Sequence, residues 1–143
     1  MIERHPVLSA EEVQAFLDEV FPQQRGILGV EAMGAMTATA RMRIDDSHLR
    51  PGGTVSGPSM FTVADCAFYM AVLGTIGRQA LTVTTNLNIN FLRKPAAETD
   101  LLCEARILKL GKLLATGDAT VWSEGQDEPV AHATVTYAIP PKR

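Results

Sequence analysis

The chain has 143 residues, 46% hydrophobic and 20% charged, a composition that suits one folded domain with a core that needs no disulfide or structural metal. A formal charge of −3 gives nucleic acid no electrostatic reason to bind. Cys66 and Cys103 sit in apolar runs and read as buried free thiols, while His5, His48 and His132 are too scattered to hold zinc with them. The opening Met1-Ile2-Glu3-Arg4-His5-Pro6 lacks the apolar stretch of a secretory leader, and the most apolar segment, residues 60–76, is short for a membrane span and carries Asp65. The expectation is a cytoplasmic protein with no membrane or nucleic-acid partner.

No repeat or linker divides the chain, so residues 1–143 read as one domain with an N-terminal helix at 9–21 and a core at 25–139. Ser9 and Glu12 form a capping box, and Val13, Phe16, Leu17 and Val20 make one apolar face up to Pro22. Strands are expected at 27–33 and 36–44, the second with Met36, Ala38, Ala40, Met42 and Ile44 on one side. Glycines and prolines make residues 49–58 a loop, with Pro58 suited to the first helical position. Residues 59–76 are apolar nearly all round, the mark of a buried helix, closed by Gly74 and Gly77. In the next strand Leu81, Val83, Leu87, Ile89 and Phe91 share one face, and Thr82, Thr84, Asn86, Asn88 and Asn90 the other, up to Pro95. Strands at 101–110, 112–122 and 129–139 follow, joined by tight turns at Gly111 and at 124–128. The fold class is α+β: an antiparallel sheet of about six strands wrapped around a central helix, since a helix apolar on all sides needs a curled sheet or a partner subunit to cover it.

Asp65 is the only charged side chain between Gly52 and Gly77. A carboxylate in an apolar helix costs several kcal/mol unless paired, hydrated or neutralised, which makes it a candidate base. Thr62, Asp65 and Tyr69 are also spaced as the wet stripe of the helix, and that reading stays open. Gly57-Pro58 places bare backbone N–H groups at a helix start, where a developing oxyanion is stabilised, although simple turn chemistry explains the glycines equally. Asp65 lies eight residues beyond Gly57, about 12 Å along a helix, too far for one chain to present both to one carbonyl. Across a two-fold interface the donor of one subunit can meet the carboxylate of the other. Arg93, Lys94, Lys109 and Lys112 could hold phosphates or simply keep the surface soluble.

The stretch Gly53-Thr54-Val55-Ser56-Gly57-Pro58, then Val63-Ala64-Asp65-Cys66-Ala67-Phe68, then Asn88-Ile89-Asn90-Phe91-Leu92-Arg93-Lys94-Pro95, resembles the hotdog-fold thioesterases of the phenylacetate-degradation (PaaI) type. Residues 131–139 are similar to their last strand. The resemblance covers about residues 25–139 and implies acyl-CoA hydrolysis with no cofactor or metal, coenzyme A entering as part of the substrate. It also implies a homodimer or homotetramer. Asp65 takes the place of the family's base or nucleophile, and Gly57 that of its oxyanion donor. Arg50, Ser56, Pro58, Tyr69, Thr84 and Asn86 are expected to line the site, with Arg93, Lys94 and Lys109 toward the coenzyme phosphates. Two departures stand out: Ser56-Gly57-Pro58 replaces the usual His-Gly-Gly, and Arg50 replaces an Asn or Gln. They keep open a non-catalytic acyl-CoA-binding protein, a hydroxyacyl-thioester dehydratase and, more remotely, an apolar-ligand carrier.

Overall fold

A computed structural model describes residues 5–141; residues 1–4, part of the opening read above for a leader, lie outside the described residues, as do 142–143. The elements are α1 (Ala10–Val20), β1 (Leu28–Gly34), β2 (Thr37–Met42), α2 (Gly57–Ile76), β3 (Val83–Phe91), β4 (Leu101–Leu110), β5 (Leu114–Ser123) and β6 (Ala131–Ala138). All six strands join one antiparallel sheet in the order β1-β2-β4-β5-β6-β3. The sheet curls around α2, whose Phe68, Met70 and Leu73 pack among Leu101, Val121 and Val135 in one core. This is the hotdog architecture. Among the described residues α2 is the one helix long and apolar enough to cross a membrane, and it is the core of the sheet.

Ser9 caps α1 in the expected capping box with Glu12. That helix lies over the outer edge of β1, where Gln14 Oε1 accepts a hydrogen bond from the Val30 N–H at 2.7 Å. One sheet edge is thereby covered, and the other, β3, pairs only with β6. A free edge of nine residues offers unpaired backbone groups to another chain.

The ends of α2 differ from expectation. The helix begins at Gly57 rather than at residue 59, because Ser56 is the N-cap and accepts from the Ser59 N–H. Pro58 therefore occupies the second helical position, not the first. Gly77 closes the helix with φ near 100°, a conformation that favours glycine. Gly74 does not close it but lies buried inside, where a Cβ would sit 2.0 Å from Met33 Cε and the carbonyl accepts from the Val7 and Leu8 N–H groups.

The two faces expected for β3 are also revised. Thr84 pairs with Tyr137 and Asn86 with Thr136, so Thr85 is an extra residue in a β-bulge. A one-residue insertion swaps faces. Val83 thus shares the outer face with Asn86, Asn88 and Asn90, whereas Thr84 shares the helix-facing side with Leu87, Ile89 and Phe91. The apolar face is not buried within this chain, since Val83 and Phe91 are each more than half exposed.

Candidate active site

One stripe of α2 escapes the sheet. Pro58, Phe61, Thr62, Asp65 and Tyr69 are exposed or half-buried, while the rest of the helix from Ser59 to Thr75 is buried. Asp65 is therefore both the lone acid of the helix and a member of its wet stripe. It does not point freely into solvent. The Thr84 hydroxyl donates to its Oδ1 at 2.5 Å and the Tyr137 phenol donates to the same oxygen at 2.8 Å. Both donors stand on adjacent strands at directly paired positions, so the register of β3 against β6 delivers them together. Oδ2 has no hydrogen-bond partner among the described residues and is the oxygen left for water or substrate.

Tyr137 was not singled out from the sequence. It is 3% exposed, lies 5.4 Å from the Phe68 ring and stacks on Tyr69 at 6.0 Å. Burial first, and the neighbouring Asp65 charge second, hold its phenol far above the ordinary range, so it stays a protonated donor. The signal available in the sequence was an isolated hydroxyl-bearing ring among the inward residues Ala131, Ala133 and Val135 of the last strand.

At the helix start the orphan donors can be counted. Ser59 N–H bonds Ser56 Oγ, Met60 N–H bonds Ser56 O, and Pro58 has no N–H. The Gly57 N–H is left without a partner among the described residues. Ser56 Oγ also meets Ser59 Oγ at 2.8 Å, so this serine is engaged as a cap instead of being turned toward a ligand. Gly57 lies against Phe91, whose Cζ would be 3.2 Å from a Cβ at residue 57. The helix thus runs from the Phe91 end of β3 to the Thr84 end, and one chain keeps Gly57 and Asp65 apart.

The remaining expected residues divide. Tyr69 donates to the Ala80 carbonyl at 3.1 Å and lines a small apolar cavity with Leu17, Phe21, Leu28, Cys66 and Met70. Burial pushes the Cys66 thiol up to about 12. Asn86 is not brought to Asp65: the bulge turns it to the outer face, where it accepts from Asn88 Nδ2 at 2.7 Å. Lys109 is also away from the site, exposed on that face opposite Thr116. Arg50 is exposed in a tight turn built on Gly52 and Gly53, and forms no ion pair with Asp65 among the described residues. Arg93 pairs with Glu128, and it and the exposed Lys94 follow β3 at the Gly57 end of the helix.

The thioesterase superfamily profile matches residues 52–130, which include Gly57, Asp65 and Thr84. A solved structure from Silicibacter sp. TM1040, assigned as a thioesterase, is 49% identical over 97% of this chain and 96% of its own, with a TM-score of 0.90. Zebrafish thioesterase superfamily member 2 shares the fold at 20% identity over 93% of this chain and 99% of its own, with a TM-score of 0.81. The Escherichia coli PaaI protein of the phenylacetic acid degradation operon does so at 20% identity over 92% of this chain and 93% of its own, with a TM-score of 0.79. Among curated proteins no sequence matches the chain. Its match to the family profile and its 49% identity to a thioesterase structure show that this chain belongs to the thioesterase superfamily, the hydrolases of thioester bonds, on a hotdog fold that it shares with PaaI proteins.

Proposed function

We propose that the chain hydrolyses acyl-CoA thioesters in the cytoplasm, at a site built by two copies. Asp65 comes from one copy and the Gly57 N–H from the other. The observation that carries this reading is the pairing of an oriented carboxylate, with Oδ2 unclaimed, and a helix start whose sole unpartnered N–H is that of Gly57. Lying about 12 Å apart on one helix, they act on one carbonyl only when a second chain is present. The free β3 edge favours such a pairing, with Leu81, Val83, Phe91 and Leu92 exposed along and beside it. A homodimer across that edge satisfies the open backbone groups, and pairs of dimers give a tetramer.

In this reading Asp65 Oδ2 takes a proton from water, and the hydroxide adds to the thioester carbon. The negative charge forming on the carbonyl oxygen rests on the Gly57 N–H. Collapse of the adduct breaks the C–S bond and releases the acid, and the proton held by Asp65 returns to the departing CoA thiolate. Lys94 and Arg93 lie at the Gly57 end and are placed to meet the coenzyme phosphates, with Arg93 shared with Glu128. The test is release of free thiol from a panel of aromatic, short and long acyl-CoAs. Turnover of at least one class supports the proposal, and tight binding without thiol release favours the non-catalytic reading.

A further inference from the structure

We infer that Tyr137 is a positioning residue: its buried phenol, with Thr84, clamps Asp65 Oδ1 and so assigns Oδ2 as the reacting oxygen. The inference deepens the proposed role of Asp65 and rests on it. A carboxylate on a half-open helix stripe can rotate about its last torsion and present either oxygen. Here that freedom is removed from one side. The Thr84 and Tyr137 donors converge on Oδ1 at 2.5 and 2.8 Å, and both are charge-assisted. Thr84 reaches the carboxylate only because the bulge at Thr85 turns it to the helix side.

Tyr137 itself is fixed more firmly than packing alone requires. Its ring lies between Phe68 and Tyr69, and its oxygen is also 2.8 Å from the Asp65 main-chain carbonyl. One hydroxyl has one proton, and the charged Oδ1 is the stronger acceptor of the two. The second contact sets the height of the phenol on the helix, so the oxygen it holds is the one nearer the sheet. The titratable groups around Asp65 are Tyr137 from β6 and Cys66 and Tyr69 from its own helix; β3 contributes the neutral Thr84. Burial keeps the thiol and both phenols protonated, so no neighbour competes for the role of proton acceptor.

Tyr137→Phe keeps the ring and removes the donor; Thr84→Val removes the other donor from an exposed position and serves if the first variant folds poorly. Two readouts apply. The first needs no turnover: the carboxylate stretch of isotope-labelled aspartate, assigned to Asp65 by its loss in Asp65→Asn, shifts in Tyr137→Phe. The second is kinetic. With the acyl-CoA that the parent cleaves, kcat falls about 10- to 100-fold with KM within a factor of about three, and the acid limb of the pH–rate profile moves to higher pH, because a donor to the charged form has been lost. Thr84→Ser retains the parent profile. An unshifted carboxylate band overturns the inference, and so does a shifted band with an unchanged kcat and acid limb. Failure of the parent to cleave any thioester counts against the proposed function instead and leaves the band as the judge of the clamp.

Discussion

Replacing Asp65 with asparagine isolates the charge. The amide oxygen can still accept from Thr84 and Tyr137, and an NH2 group then stands where Oδ2 was, so shape and packing are retained. What disappears is the one oxygen that no side chain holds, the oxygen able to take a proton from water. Loss of a general base lowers turnover by about 10²- to 10⁴-fold, or about 3–5 kcal/mol at 1.36 kcal/mol per tenfold. Folding changes little, since two charge-assisted hydrogen bonds become two neutral ones and the cost of holding a carboxylate in a half-buried site is removed. The assay is thiol release from the best acyl-CoA substrate, with circular dichroism and a melting curve on both proteins. A folded variant that retains kcat within about threefold of the parent would remove Asp65 from the chemistry.

Three further outcomes follow from other parts of the molecule. Ser56→Ala removes the N-cap oxygen from the Ser59 N–H and should cost about 1 kcal/mol, read as a melting temperature about 2–4 °C lower. Gly117→Ala places a Cβ 1.9 Å from the Arg106 carbonyl oxygen and 2.9 Å from Phe68 Cε2, so the backbone of β4 or β5 must move; a loss of about 3 kcal/mol in denaturant unfolding is expected, and an unchanged midpoint would contradict the close approach. The Cys66 thiol, raised from 9.0 to about 12, keeps its proton in the folded state after the unfolded chain has lost it. Stability should therefore be unaffected by this group below about pH 9 and fall as the pH climbs from about 9 toward 12, measured by urea unfolding across that range.

Much of the fold was legible because it rests on local chemistry. Ser9 and Glu12 announce α1, the apolar run from residue 59 announces a buried helix, and Ala131, Ala133, Val135 and Tyr137 alternate as an inward strand face. The errors lie where tertiary pairing overrides period. Ser56-Gly57-Pro58 reads as loop, yet the serine is a cap and the helix starts two residues early. In β3, Thr84 and Thr85 both satisfy an alternating pattern, so nothing local reveals that one is extra; only pairing with Thr136 and Tyr137 shows it. That bulge separates Thr84, which reaches Asp65, from Asn86, which does not. Asp65 was visible as a lone charge in an apolar run. Its clamp was not, because Tyr137 is 72 residues away and becomes a neighbour only when β6 closes beside β3.

Subunit complementation tests the shared site most directly. Asp65→Asn lacks the base, and Gly57→Val obstructs the approach to the N–H, so each should be inactive as a pure protein. Co-refolding equal amounts gives mixed dimers in which one site carries both defects and the other neither. The account predicts recovery of about a quarter of the parent activity, since about half the dimers are mixed and each has one intact site. Recovery no greater than the sum of the two pure variants, with mixed dimers verified by mass, would contradict it and return Gly57 and Asp65 to separate roles.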